Sequence, residues 1–152
     1  MPKVESWSRE DPGVLVLPSG RLVRGRGLRH PLPGGSLPTY ALYLLGREPS
    51  PQAWPSTWLR WPDFRLPADR DEAAAALRDT LARLTEDRVE VACSGGRGRT
   101  GTALACLVAL DTGTTEGAVD WVRAHYDPRA VETPAQRRYV ARFLDDAGAG
   151  LS

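Results

Sequence analysis

Arg88-Val89-Glu90-Val91-Ala92-Cys93-Ser94-Gly95-Gly96-Arg97-Gly98-Arg99-Thr100-Gly101-Thr102-Ala103-Leu104 carries three local patterns in succession. Arg88 to Ala92 alternates and then turns apolar, as a central strand entering a core does. Gly95, Gly96 and Gly98 then interrupt any regular element, and Thr102 to Leu110 reads as a buried helix. Strand, glycine loop and helix in that order make an anion site. Glycine lets successive backbone N–H groups converge into a nest, and the helix N-terminus at Gly101 adds its positive dipole end. The expected oxyanion is phosphate.

Three side chains in this loop carry chemistry. Cys93 stands at the mouth of the nest, where a helix N-terminus and nearby cations favour the nucleophilic thiolate. Arg99, six positions on, can return over the loop and hold two phosphate oxygens in a bidentate grip. Thr100 can offer its hydroxyl to the sulfur. Ser94, Gly95, Gly96, Arg97 and Gly98 complete the substrate-binding loop. The competing reading, an inert buried cysteine at a strand end, leaves the three glycines, the arginine spacing and the following helix unexplained. A second competitor is the dinucleotide fingerprint, which Gly96 to Gly101 matches letter for letter, with Asp120 near the acidic offset. That fingerprint requires a strand before the acid, and residues 115 to 126 read as helix. A Walker loop fails for want of Gly-Lys-Ser/Thr.

Upstream, Val14 to Leu17, the turn Pro18-Ser19-Gly20 and Arg21 to Arg24 read as a β-hairpin. Residues 25 to 39 and 46 to 57 read as loops, around a buried strand at Tyr40 to Leu45. Trp58 to Trp61 reads as a short strand ended by Pro62. Asp69 caps a helix over Asp71 to Leu84, with Ala76, Leu77, Leu81 and Leu84 on one face. Downstream, Thr115 caps a helix with Ala118, Trp121, Val122 and His125 on one side. Pro134 opens the last helix, which runs to about Asp145. Residues 1 to 12 and 146 to 152 read as flexible. The fold class is therefore α/β (α+β), one domain over residues 1 to 152, with a central mixed sheet flanked by helices and the phosphate loop between a strand and a helix.

The bulk composition sets limits. The chain has 152 residues, 41% hydrophobic and 26% charged, with a net charge of +1, so no bulk attraction to nucleic acid is expected. Lys3 is the only lysine among 20 basic residues, which reads as codon bias. Two cysteines are too few for a disulfide scaffold or a cysteine-rich zinc site. No signal peptide is read at the start, and Ala103 to Leu110 is too short to span a bilayer, so the expectation is a cytoplasmic protein with free thiols and no integral membrane segment. Cys106, on the apolar helix, reads as core. His30 and His125 lack metal-like spacing. Trp54 and Trp58 suit either the sheet edge or the cleft. Arg24, Arg26 and Arg29 read as a solvated basic loop, with a pocket rim as the alternative.

Transfer of phosphate to a thiolate expels an alkoxide or phenoxide, which requires a general acid. Asp63, in Trp61-Pro62-Asp63-Phe64, is the candidate, flanked by rings that can exclude water when a lid closes. These stretches together resemble the protein-tyrosine phosphatase superfamily, whose signature is Cys, five residues, Arg, then Ser or Thr. Cys93, Gly96, Arg99 and Thr100 match it, and Trp61-Pro62-Asp63 matches its mobile acid loop. The acid lies upstream of the nucleophile, which sets the chain apart from the low-molecular-weight and rhodanese-like phosphatases. Glu132-Thr133-Pro134-Ala135-Gln136 resembles the loop that positions the hydrolytic water, a role that falls to Gln136. The short length is similar to the dual-specificity subgroup and its bacterial relatives.

The resemblance implies a phosphocysteine mechanism. Cys93 is the nucleophile, Asp63 the acid and then the base, Arg99 the phosphate clamp and Thr100 a support. It implies no metal and no cofactor. The expected partner is a phosphorylated protein or a small phosphorylated molecule. The alternatives are a phosphatase of a phosphoinositide or metabolite, with Arg97 reading a second phosphate, and a phosphate-binding module that no longer turns over. The last is motivated by two departures: Ala92 stands where the superfamily usually has histidine, and Glu132 stands where it has glutamine. No tyrosine-bearing loop of the kind that deepens a phosphotyrosine pocket is recognisable.

Overall fold

The computed structural model describes residues 5–149. The chain forms β1 (Val14–Val16), β2 (Leu22–Gly27), β3 (Tyr40–Leu45), β4 (Ser56–Arg60), α1 (Arg70–Arg83), β5 (Val89–Cys93), α2 (Gly98–Thr112), α3 (Ala118–His125) and α4 (Pro134–Ala149). The strands make one sheet in the order β1-β2-β5-β3-β4, with β1 antiparallel to β2 and every other pairing parallel. The fold is the mixed α/β single domain expected from the sequence.

β5 lies at the centre, paired on both sides and buried at every position. Alternation along the strands divides the sheet into two faces. Val23, Leu42, Leu44, Val89, Val91 and Cys93 join the main core under the helices, whereas Ala41, Tyr43 and Ala92 form a second cluster with Leu28, Leu45 and Trp54. α2 is the core's axis and is buried from Gly98 through Ala109, as a helix that is apolar on all sides must be. Each fully buried leucine on these faces contributes about 1.5–3 kcal/mol.

Several boundaries differ from the sequence expectation. β2 extends to Gly27 because it continues to pair with β5 through Gly27↔Cys93, so residues 25 to 27 are not loop. β4 begins at Ser56, two residues early, because it pairs with β3 from Ala41 to Leu45. Asp69 caps α1 as expected, accepting a bond from the Glu72 N–H at 3.0 Å, but the buried ridge is Ala73, Leu77, Thr80 and Leu84. α3 is entered through Gly117 at φ 75°. Thr115 donates instead to the Ala141 carbonyl at 3.2 Å. His125 is exposed and stacks on Trp121, with ring centroids 4.2 Å apart. Residues 1–4 and 150–152 lie outside the described residues. Of the expected flexible start, residues 5–12 carry the buried Trp7, whose indole donates to the Val89 carbonyl at 3.2 Å. Residues 146–149 continue α4. Among the described residues, no helix is long and apolar enough to cross a membrane.

Arg24 and Arg26 do not belong to a solvated loop. Both lie on β2, where Arg24 is opposite Glu90 of β5 and Arg26 is opposite Ala92. Arg24 is fully buried, its Nη2 2.6 Å from Glu90 Oε1, and its guanidinium lies 4.4 Å from the Trp7 ring centre. Arg26 Nη1 stands 3.1 Å from Glu90 Oε2. One buried carboxylate therefore serves two guanidiniums, and removing its charge strands both. Glu90→Gln should lower stability by about 3–5 kcal/mol, read as a fall in the urea unfolding midpoint with an unchanged slope.

Candidate active site

The loop after β5 folds back over the sulfur of Cys93. The Gly96 N–H donates to Cys93 Sγ at 3.1 Å, and the Thr100 hydroxyl donates to it at 3.0 Å. Gly96 adopts φ 78°, which favours glycine, and a Cβ there would lie 2.5 Å from the Gly27 nitrogen. A Cβ on Gly27 would in turn lie 2.6 Å from the Gly95 carbonyl oxygen. The two backbones therefore touch directly. The next residues extend the strap: the Leu28 and Arg29 N–H groups donate to the carbonyls of Cys93 and Ser94 at 2.8 and 2.9 Å. α2 begins at Gly98, three residues before the expected Gly101, so its first turn lies beneath the loop.

Tyr126 was not legible as a site residue. Its hydroxyl donates to the Gly96 carbonyl at 2.5 Å. Burial, and after it the nearby Cys93 and Asp127, push the phenol well above its usual range, so it remains a donor. Gly25 admits this ring, since a Cβ there would lie 2.5 Å from Tyr126 Cε1. A glycine inside a strand was the available signal for such a close approach.

Arg99 is 4% exposed and reaches the acid loop. Its Nη1 donates to the Trp61 carbonyl at 3.1 Å and its Nη2 stands 3.3 Å from Asp63 Oδ1. Its Nε is buried without a hydrogen-bond partner. Leaving such a donor unbonded costs about 1–3 kcal/mol. Asp63 is 47% exposed at the lip of the site. The loop that carries it is braced from behind. The buried Trp61 donates its indole N–H to the Arg65 carbonyl at 2.7 Å and sets its ring edge-on to Tyr139.

Gln136 is fully buried, and its carboxamide is engaged at both ends. Oε1 accepts from the Glu132 and Thr133 N–H groups at 3.0 and 3.3 Å, and Nε2 donates to the Arg65 carbonyl at 3.3 Å. It ties the loop before α4 to the acid loop, and Glu132 is the residue of that segment that lines the cavity. Arg97 is half-exposed, with its Nε 3.5 Å from Asp127 Oδ2. Cys93, Gly95, Arg97, Gly98, Arg99 and Asp63 share one cavity of about 240 Å³, and Phe64, Arg29 and His30 also stand on its walls. Ser94 faces the neighbouring cleft. Cys106 is buried in the core, where desolvation pushes its thiol well up.

The model of the Swiss Army Knife protein family, a DSP-PTPase phosphatase domain, matches residues 47–142. The chain belongs to this family. It is a dual-specificity-like member of the protein-tyrosine phosphatase superfamily. An uncharacterized protein of Methanocaldococcus jannaschii is 31% identical to this phosphatase domain over 96 residues, which cover 62% of the chain and 58% of the relative. The chain thus spans less than two thirds of that relative's length. The fold is similar to that of Tk-PTP in its active form, with a TM-score of 0.59 and 23% identity over 72% of this chain and 78% of that one. It is also similar to the kinase-associated phosphatase, solved with its catalytic-site cysteine replaced by serine. That likeness has a TM-score of 0.56 and 24% identity over 63% of this chain and 55% of that one.

The two adjacent glycines of the loop should respond differently to a methyl group. A Cβ on Gly95 meets nothing within 4 Å, whereas one on Gly96 meets backbone. Gly95→Ala should keep the melting temperature and the affinity for vanadate. Gly96→Ala should lose measurable vanadate binding and melt several degrees lower. Iodoacetate should label Cys93 in the folded protein and spare Cys106 until denaturant is added, as peptide mass mapping would show.

Proposed function

We propose that this chain is a cysteine-dependent phosphomonoester hydrolase of the dual-specificity type, acting through a phosphocysteine. The observation that carries the reading is the pair of donors on one sulfur, the Gly96 amide and the Thr100 hydroxyl, with the Arg99 guanidinium on the wall of the cavity that this cysteine lines. The amide and hydroxyl both donate to the sulfur that would attack, and the planar guanidinium suits two phosphate oxygens.

In the first step, Cys93 Sγ attacks phosphorus. The S–P bond forms, the P–O bond to the leaving group breaks, and Asp63 transfers its proton to the departing oxygen. Arg99 and the loop amides hold the equatorial oxygens, whose charge is spread in a loose transition state. In the second step, water attacks phosphorus, Asp63 takes its proton, and the S–P bond breaks to release phosphate and the Cys93 thiolate. Asp63 lies against Arg99, so an incoming phosphate must replace that contact, and the Trp61 and Gln136 braces hold the acid loop close while it does. Gln136 acts on the site through this loop. The substrate is a phosphorylated protein or a small phosphorylated molecule.

Cys93→Ser and Arg99→Ala should each lower kcat/KM for phenyl phosphate by at least about a thousandfold, some 4 kcal/mol of transition-state stabilisation. Asp63→Asn should lower kcat by about a hundredfold on phenyl phosphate. It should cost much less on p-nitrophenyl phosphate, whose leaving group departs without a proton. Wild-type rates in the Cys93→Ser protein would overturn the mechanism, and equal losses on the two esters would remove Asp63 as the acid.

A further inference from the structure

Two recesses meet at the Arg99–Asp63 contact. One is the cavity that holds Cys93. The other is a cleft of about 770 Å³ beside the β3–β4 connection, and Arg99 and Asp63 stand on its wall too. The cleft is of small-molecule size. Asp63 stands on the wall of both recesses, so a leaving group whose oxygen it protonates has this cleft to extend into.

The cleft's chemistry is one-sided. Arg26, Arg47 and Arg60 line it together with Arg99, and Glu48 is the carboxylate that joins Asp63. Arg26 is fixed from behind, with its side chain 12% exposed and its Nη1 3.1 Å from Glu90 Oε2. That carboxylate already serves Arg24, so the network holds one guanidinium more than its countercharge. Arg26 Nε is buried without a partner. Tyr43 adds a neutral donor in the same wall. Its oxygen accepts from the Trp54 indole at 2.9 Å, which leaves the hydroxyl proton unused by that bond. Burial raises this phenol above its usual value, so the proton stays on. The base of the cleft therefore has donors held in place, and its rim has two exposed arginines. A surplus of guanidiniums and neutral donors in a partly buried recess favours an anion with several acceptor oxygens.

We propose that this cleft binds a second phosphate, carried on the leaving-group portion of a small phosphomonoester, so that the preferred substrates are bisphosphorylated small molecules. The proposal rests on the phosphomonoesterase reading of the Cys93 site. Arg26 and Tyr43 receive the second phosphate, and Arg47 and Arg60 close over it.

The test compares short alkanediol monophosphates and bisphosphates of matched chain length, with phosphate release as the readout. The best bisphosphate should exceed its monophosphate in kcat/KM by roughly tenfold or more, the gain of one added charge-assisted contact set. The double variant Arg47→Ala/Arg60→Ala changes two exposed side chains and should keep its melting temperature. It should lose most of that advantage, while p-nitrophenyl phosphate kinetics stay within about twofold. Equal use of mono- and bisphosphates by a protein that hydrolyses p-nitrophenyl phosphate would overturn the proposal and leave the phosphatase reading standing. So would an advantage that survives in the double variant, or a phosphotyrosine peptide that gains as much from the two arginines. If no ester is turned over, the phosphatase reading fails, and calorimetric binding of the same mono- and bisphosphate pair decides the cleft by the same comparison.

Discussion

Gly27 of β2 and Gly95–Gly96 of the phosphate loop press backbone on backbone, with no side chain between them. The geometry of the site depends on this contact. It sets the Gly96 amide on the sulfur of Cys93 and brings the amides of Leu28 and Arg29 to the carbonyls of Cys93 and Ser94, so the base of the loop is hydrogen-bonded as a continuation of the sheet. Tyr126 closes the remaining side, and its ring fits because β2 has Gly25 beneath it. These contacts hold the loop in place, which in the proposed reaction limits reorganisation.

The acid loop is governed by a second set of contacts. Two groups, the Trp61 indole and the Gln136 carboxamide, converge on the Arg65 carbonyl. Arg99 holds the Trp61 carbonyl from the front. Asp63 is left at the exposed tip of a segment anchored at both ends, and in the proposed mechanism its contact with Arg99 is the one that phosphate replaces. The same pair borders both the cavity and the larger cleft, which places Asp63 between the two recesses.

Much of this was legible in the residues. Alternating Val89 and Val91 with an apolar end marked the central strand, and the glycines with Cys93, Arg99 and Thr100 marked the nest, because each residue type there has a local conformational or chemical reason. Asp69 was legible as a cap for the same reason. Trp61-Pro62-Asp63 was a weaker signal, and resemblance to a known family gave it weight. Arg24 and Arg26 were misread because charge in a Gly- and Pro-rich neighbourhood suggests solvent, and their partner Glu90 is more than sixty residues away. The glutamate inside an otherwise apolar strand was the one local sign that a buried countercharge was needed.

The chain's order of residues by itself determined the strand–loop–helix unit and the α/β class, and it marked the candidate anion nest, nucleophile and clamp, since these rest on short-range rules of backbone freedom and hydrophobic period. Only the tertiary structure decided what surrounds that unit. Parallel pairing of β2 with β5 brought Gly27 and Arg26 to the loop, the close approach of α3 brought Tyr126, the loop before α4 brought Glu132 to the cavity, and the first turn of α4 brought Gln136 to the segment that carries Asp63. Such contacts join residues tens of positions apart, and their energy depends on pairing and burial that no local pattern encodes.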